Sequence, residues 1–437
     1  MFQLCHHEAF VNSASLPELR GAGPWRWRGG GCECRPRGAR PVRPVPRVGH
    51  GDRWRLAVTC FFLCPVHQFT SLKPGTLPWC CAGRQLLPQA VTPYEVLEQA
   101  LMEGTLQTSI HICHGNGQWM SRLPEKLWDI PLYNLALPGS HDTMTYCLDK
   151  TSDISGNESK LVKFLNKCMP CIVRPIIMKW STTQVLTVTE QLEAGVRYLD
   201  FRIAHKANDP SANLYFVHMV YTTITVQDIL WEVLRWLETH PQEVVILACR
   251  NFDGLTKKLH CLLIACIKEI FQCKLCPRNV VPTLRTMWQR GHQVIVSYEE
   301  DGEVDKHREL WPAIPYWWGN KTATRALIQY LERMKQVGRP EKFFVAGINL
   351  TENLRYILVH PFGSLKKMTL RSLPCLKIWI KQQYPGPKKE CVNIIAGDFI
   401  GNHDFVKDVI ELNTKINPPL HCQSKGTGTN SISFSAS

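Results

Sequence analysis

The chain predicts an α/β fold built as a (β/α)8 TIM-type barrel, with room for irregularity in its units. Three observations carry that reading. From Gln118 to Asn417, apolar runs of strand length recur at Leu135–Leu137, Val196–Ile203, Leu214–Met219, Val244–Cys249, Val294–Ser297, Phe343–Ile348 and Val392–Ala396. Helical patterns separate these runs, and strands alternating with helices favour a parallel sheet. Several runs also end in a charged or titratable residue, as expected where a parallel barrel gathers its functional groups at the C-terminal strand edge. A doubly wound open sheet is the rival architecture, but no glycine-rich phosphate loop follows the first run.

Taken in order, Leu135-Ala136-Leu137 runs into Pro138-Gly139, which stop the strand and project His141 from the turn Ser140-His141-Asp142. Thr189 to Ala194 reads as a helix closed by Gly195, which leads straight into the next strand. There a period of two puts Val196, Tyr198, Asp200 and Arg202 on one face, and Arg197, Leu199, Phe201 and Ile203 on the other. The first face becomes polar toward its C-terminal end, as a structural ion pair or as part of a site. Leu214, Phe216 and His218 share a face, and His218 again arrives at a strand end. Val226 to Thr239 is an amphipathic helix with Ile229, Leu230, Val233, Leu234 and Leu237 on one side. Thr225 is its N-cap, Asp228 completes a capping box, and Pro241 closes it. Ile394-Ile395-Ala396-Gly397 ends a further strand at Asp398. Two imidazoles, a guanidinium and several carboxylates are the parts needed to move protons around a phosphodiester.

Composition bounds the alternatives. With 437 residues, 44% hydrophobic and 20% charged, the chain can bury a sizeable core. Its net charge of +14 fits nucleic acid, an anionic membrane or a basic tail. No Lys/Arg run is interleaved with base-stacking aromatics, so nucleic acid is not an expected partner. Gly21–Arg55 is dense in Arg, Pro, Gly and Trp without helical or strand period, and residues 1–116 read as a low-complexity basic extension, disordered rather than an anchor for acidic lipid or protein. The barrel is expected over 117–420, and residues 421–437 read as a flexible tail. The start is too polar for a secretory signal, and Leu56–Cys64 is too short to span a bilayer. Nineteen cysteines, an odd count without regular spacing, suit a reducing cytosolic setting. Cys168/Cys171 and Cys273/Cys276 lie too far apart in the chain for a paired zinc site and read as unrelated thiols.

The turn Pro138-Gly139-Ser140-His141-Asp142 and the strand Leu199-Asp200-Phe201-Arg202 are joined by Phe216–Tyr221, His240–Phe252 and Asn393–Ile400. Together these segments resemble the phosphatidylinositol-specific phospholipase C X-domain family, in its small X-domain-only form, with the X-box over about 125–300. The resemblance implies a phosphoric diester hydrolase acting on inositol phospholipid. It makes His141 the general base on the inositol 2-hydroxyl and His218 the general acid on the leaving diacylglycerol oxygen. Asp398 would orient His141 and Asp142 would orient His218. Arg202, with Asp200 nearby, would neutralise charge on the phosphoryl oxygens. Large animal relatives use calcium, held by an Asn, a Glu-x-Asp pair and a further Glu. The corresponding positions here read Asp142, Tyr198 with Asp200, and Arg250. Arg250 would repel calcium and Arg202 takes the cation's place, so no cofactor is expected. Arg250 is left as a contact to inositol or phosphate, or as a structural salt bridge.

A lipid substrate also demands transient membrane contact by a chain expected to be monomeric and cytoplasmic. Lys160–Lys179 combines Leu161, Phe164, Leu165, Val173 and Ile176 with Lys163, Lys167 and Arg174, as an interfacial patch or an ordinary rim helix. Trp317-Trp318 divides likewise between interface and core. A glycerophosphodiester hydrolase would start with His-Arg and need Glu-x-Asp, which Ser140-His141-Asp142 and Tyr198-Leu199-Asp200 do not supply. A non-catalytic lipid-binding or scaffold protein that retains the barrel is the remaining alternative.

Overall fold

The computed structural model describes residues 115–416, apart from positions 208 and 403. The expected extension up to residue 114, with Leu56–Cys64, and the tail beyond 416 lie outside the described residues. The strands are β1 (Leu137–Ser140), β2 (Tyr198–Ala204), β3 (Tyr215–His218), β4 (Val220–Thr225), β5 (Val245–Asp253), β6 (Val294–Tyr298), β7 (Leu310–Trp311), β8 (Tyr316–Trp317), β9 (Val345–Gly347) and β10 (Ile394–Gly397). Eight of them form one parallel ladder in the order β7-β6-β5-β2-β1-β10-β9-β8. Among the described residues no ladder joins β7 to β8, so the barrel is irregular and open there.

Strand alternation sorts side chains as the period of two requires. Leu137, Tyr198, Ile246, Ala248, Ile295, Trp311, Val345, Ile394 and Ala396 share the core cluster inside the barrel. Leu199, Phe201, Ile203, Leu247, Val294, Val296, Ala346 and Ile395 share the outer cluster, against the surrounding helices. Ile229, Leu230, Val233, Leu234 and Leu237 of Val226–Thr239 belong to it as expected. The Thr225 hydroxyl accepts the Asp228 N–H at 3.3 Å and bonds the Asp228 carboxylate at 2.6 Å. A complete capping box lies elsewhere, between Thr187 and Glu190 at the start of Val188–Glu193.

Gly195 does close that helix. Its φ is +109°, its N–H donates to Leu192 O at 3.0 Å, and Val196 N–H donates to Gln191 O at 3.0 Å. This is a Schellman ending, and it turns the chain directly toward β2. Just before β2, the fully buried Arg197 guanidinium donates to Glu243 Oε2 at 3.0 and 2.6 Å and to the carbonyls of Leu192, Val196 and Gly117. Glu243 also accepts the N–H groups of Met120 and Ser121, so the pair ties the N-terminal segment to the base of the barrel.

One expectation needs correction. The strand carrying His218 is not a stave of the parallel barrel: β3 runs antiparallel to β2, with Ile203 opposite Phe216, and pairs antiparallel with β4. It extends β2 outward past the barrel edge as half of a hairpin. Helices Lys160–Cys168 and Pro170–Ser181, inserted between β1 and β2, pack Val162 and Ile177 against Met219 and Val220 of that hairpin. Trp317 is core, buried with its ring 4.5 Å from Phe344, and Trp318 donates its indole N–H to Thr351 Oγ1.

Candidate active site

β1 delivers His141 into a turn held from three sides. The His141 N–H donates to Gly397 O at the end of β10, and its own carbonyl accepts from Thr183 Oγ1 at 3.1 Å and Gln184 Nε2 at 2.9 Å. Asp142 takes a left-handed φ of 43°, which aims its N–H at Asp200 Oδ2, 3.1 Å away. The imidazole is thereby positioned with Nδ1 2.8 Å from Asp398 Oδ1 and Nε2 2.9 Å from Arg202 Nη2. A guanidinium can only donate, so Nε2 presents its lone pair and Nδ1 carries the proton toward Asp398. Burial alone would lower the His141 pKa, but the Asp142 and Asp398 carboxylates outweigh it and hold the ring above its ordinary value.

Asp142 sits at the centre. Its Oδ1 is 2.5 Å from Arg202 Nε, while its Oδ2 is 3.3 Å from His141 Nε2 and 3.4 Å from His218 Nε2. Burial pushes this carboxyl up, yet Arg202 and the two imidazoles hold it below the usual carboxylate range. His218 comes from the far side, at the end of β3, and Met219 after it has φ 67°. Its Nδ1 lies 2.6 Å from the Ser181 carbonyl, an acceptor only, so Nδ1 carries a proton. The backbone of Ser181 orients this ring, with Asp142 reaching the other nitrogen. Asp398 is pushed up by burial, against the pull of His141.

The remaining predicted residues extend the same cluster. Asp200 lies 3.6 Å from Arg202 Nε and 4.0 Å from Arg250 Nη1, and Arg250 Nη2 donates to Glu299 Oε1 at 3.1 Å. Arg250 is thus in a salt bridge while lining the site, 5.6 Å from the Tyr316 ring. The buried atoms Tyr198 Oη, Asp200 Oδ1 and Asp398 Oδ2 have no hydrogen-bond partner.

Several contributors escaped the sequence reading. Glu299 follows β6 and obeys the same strand-end rule that found Asp398. Tyr316, whose hydroxyl donates to Asn349 Oδ1 at 2.9 Å, comes from a two-residue strand with no periodic signal. Glu352 is half-buried, and its carboxyl is pushed up by burial while His218 and His141 pull it down.

His141, Asp142 and Asp200 could also bring metal-ligating atoms within 4.8 Å of one another. The same two carboxylates are, however, held by Arg202 and Arg250. Calcium takes six to eight oxygens and would meet two guanidinium groups here, so this donor set does not fit it.

The family model described as PI-PLC X 1 matches residues 177–341, which include Asp200, Arg202, His218 and Arg250. The chain is 62% identical over 307 residues to human PI-PLC X domain-containing protein 1, a match covering 70% of this chain and 95% of that protein. The chain belongs to the PI-PLC X domain family. Within this family it is also 37% identical to mouse PI-PLC X domain-containing protein 2, over 70% of this chain and 90% of that one. Among solved structures, a phosphatidylinositol-specific phospholipase C of S. aureus aligns with 69% of this chain and 99% of its own. The TM-score there is 0.50 and the identity 16%, a likeness of fold. His141, Asp142 and Asp398 of this PI-PLC X domain protein lie outside the span matched by the family model, yet they converge with Arg202 and His218 in one buried cluster.

Proposed function

We propose that this chain is a phosphoric diester hydrolase that cleaves inositol phospholipid without a metal. The observation that carries the reading is that both imidazole Nε2 atoms face one oxygen of Asp142, with Arg202 on the other. His141 Nε2 takes the proton of the inositol 2-hydroxyl as its oxygen attacks phosphorus in line. His218 Nε2 gives a proton to the glycerol oxygen as the P–O bond breaks, releasing diacylglycerol and a cyclic inositol phosphate. Each transfer is worth typically about 10²–10⁴-fold. Arg202, which spans His141 and Asp142, stabilises the phosphoryl oxygens as charge builds there. Asp398 holds the tautomer of His141, and Arg250 with the unpartnered Tyr198 hydroxyl lines the space for the inositol ring.

Access to the substrate is peripheral, at a cytoplasmic membrane face. No helix among the described residues is long and apolar enough to cross a membrane. The helices beside His218 expose Leu161, Phe164 and Ile176, and the neighbouring segment exposes Leu358, Val359 and Phe362. Lys160, Lys167 and Lys179 are the exposed cations of the same helices, a combination suited to anionic lipid.

Cleavage of phosphatidylinositol vesicles by the purified chain, with calcium and with chelator, tests the proposal. Cyclic product is expected in both buffers and is lost in His141→Ala. Product only with calcium would overturn the metal-free part. Vesicle binding without product would favour a lipid-binding module.

A further inference from the structure

The junction between the two rim helices is an exposed apex. Lys167, Cys168, Met169, Pro170, Cys171 and Ile172 are consecutive exposed residues. Cys168 ends helix Lys160–Cys168, and Met169 breaks the helix at φ −138° and ψ 57°. Cys171 is the second residue of helix Pro170–Ser181. Both thiols are therefore presented at a corner, flanked by the exposed side chains of Phe164, Met169 and Ile172 and by the cation Lys167. Among the described residues no other two exposed cysteines lie so close in the chain: Cys249, Cys276, Cys375 and Cys391 are buried and Cys147 and Cys266 half-buried, while the exposed Cys261, on helix Lys257–Phe271, and Cys273, which leads to β6, stand twelve positions apart.

We propose that Cys168 and Cys171 are a paired S-acylation site that takes long-chain fatty acyl groups. This rests on the membrane-contact part of the proposed function and extends it from transient contact to a reversible anchor. The thiol sulfur attacks the carbonyl carbon of a long-chain acyl-coenzyme A thioester, delivered by a membrane-bound acyltransferase. A new S–C(=O) bond forms on the cysteine, the bond to coenzyme A breaks, and the cysteine proton ends on the coenzyme A thiol, with no change of oxidation state. Cysteines on an amphipathic helix beside a membrane are the usual acceptors of this chemistry. The pairing matters because one acyl chain gives marginal, reversible attachment, whereas two give a stable one.

The position suits the site. Pro170–Ser181 has 12 residues, and its far end supplies the carbonyl that holds His218. At about 1.5 Å per residue the anchor would stand one helix length, about 18 Å, from the general acid. Lipid chains at the apex would keep the barrel mouth against the bilayer and raise the effective concentration of substrate.

The test is acyl exchange on the full chain expressed in cultured cells, replacing thioester-linked chains with a polyethylene glycol tag after hydroxylamine. Relative to wild type, Cys168→Ser/Cys171→Ser should lose two mass steps and about tenfold of its membrane-sedimenting fraction. Cys261→Ser/Cys273→Ser should keep both. An unchanged pattern in the first variant would overturn the proposal. So would tagging of this pair released by dithiothreitol but not hydroxylamine, which would mark a disulfide. Because the tag does not depend on turnover, an acylated but inactive chain would refute the hydrolase reading alone, and an active chain without tag would refute acylation alone.

Discussion

His141 combines deep burial with raised basicity, and that combination sets the pH behaviour of the site. In its proposed role as general base, His141 must be unprotonated to act. The Asp142 and Asp398 carboxylates hold His141 above its ordinary value against burial, so the acid limb of the rate should lie above the roughly 6.5 of a free imidazole. Removing the Asp398 charge takes away part of that upward pull, and Asp142 keeps the rest. In Asp398→Asn the limb should move to lower pH, while kcat falls about 10²-fold or more as the ring loses its preferred tautomer. A pH–rate profile whose acid limb is the same in both proteins would show that another group titrates there. The sequence exposed His141, Asp142, Asp200, Arg202, His218 and Asp398 because side chains at strand ends carry a signal. It could not expose the Ser181 carbonyl, since every residue has one and only the fold decides which lies 2.6 Å from His218.

At the scale of elements, the transition from helix Val188–Glu193 to β2 rests on a single glycine. A Cβ at Gly195 would stand 2.9 Å from both Asn116 Cβ and Val406 Cγ1, and its φ of +109° is one that other residues rarely adopt. Gly195→Ala should therefore cost about 1–3 kcal/mol, read from the denaturant midpoint; an unshifted midpoint would mean that the turn relaxes freely. Long periodic elements such as Val226–Thr239 were legible because their burial face repeats. The two-residue strands β7 and β8 were not, being too short to show any period. The direction of β3 was also hidden: alternation in Phe216–His218 says which side chains share a face but not whether the strand runs with or against its neighbour.

For the whole molecule, the base of the barrel depends on one buried ion pair. Arg197 is fully buried, and its charge is matched by Glu243 and by backbone carbonyls. Glu243→Gln leaves that charge without a counter-ion and should cost about 3–5 kcal/mol, whereas Arg197→Met with Glu243→Leu should recover much of the loss. Equilibrium unfolding of the three proteins checks this, and a double variant no better than the single one would show that the lost ties to Met120 and Ser121 matter more than the charge. The class of fold was legible because strands and helices alternate over most of the chain. The opening between β7 and β8 was not, because closure depends on pairing between residues that carry no pattern of their own.

The contact between His141 and Asp398 has a consequence for the timing of synthesis. It joins residues 257 positions apart, across the pairing of β1 with β10. A ribosome adds about 5–20 residues per second, so the first half of the cluster waits through most of translation for its partner. A nascent barrel therefore holds an incomplete cluster, and a chain that stops short of β10 cannot assemble one. The proposed acid–base pair therefore gains its Asp398 partner only once β10 has docked.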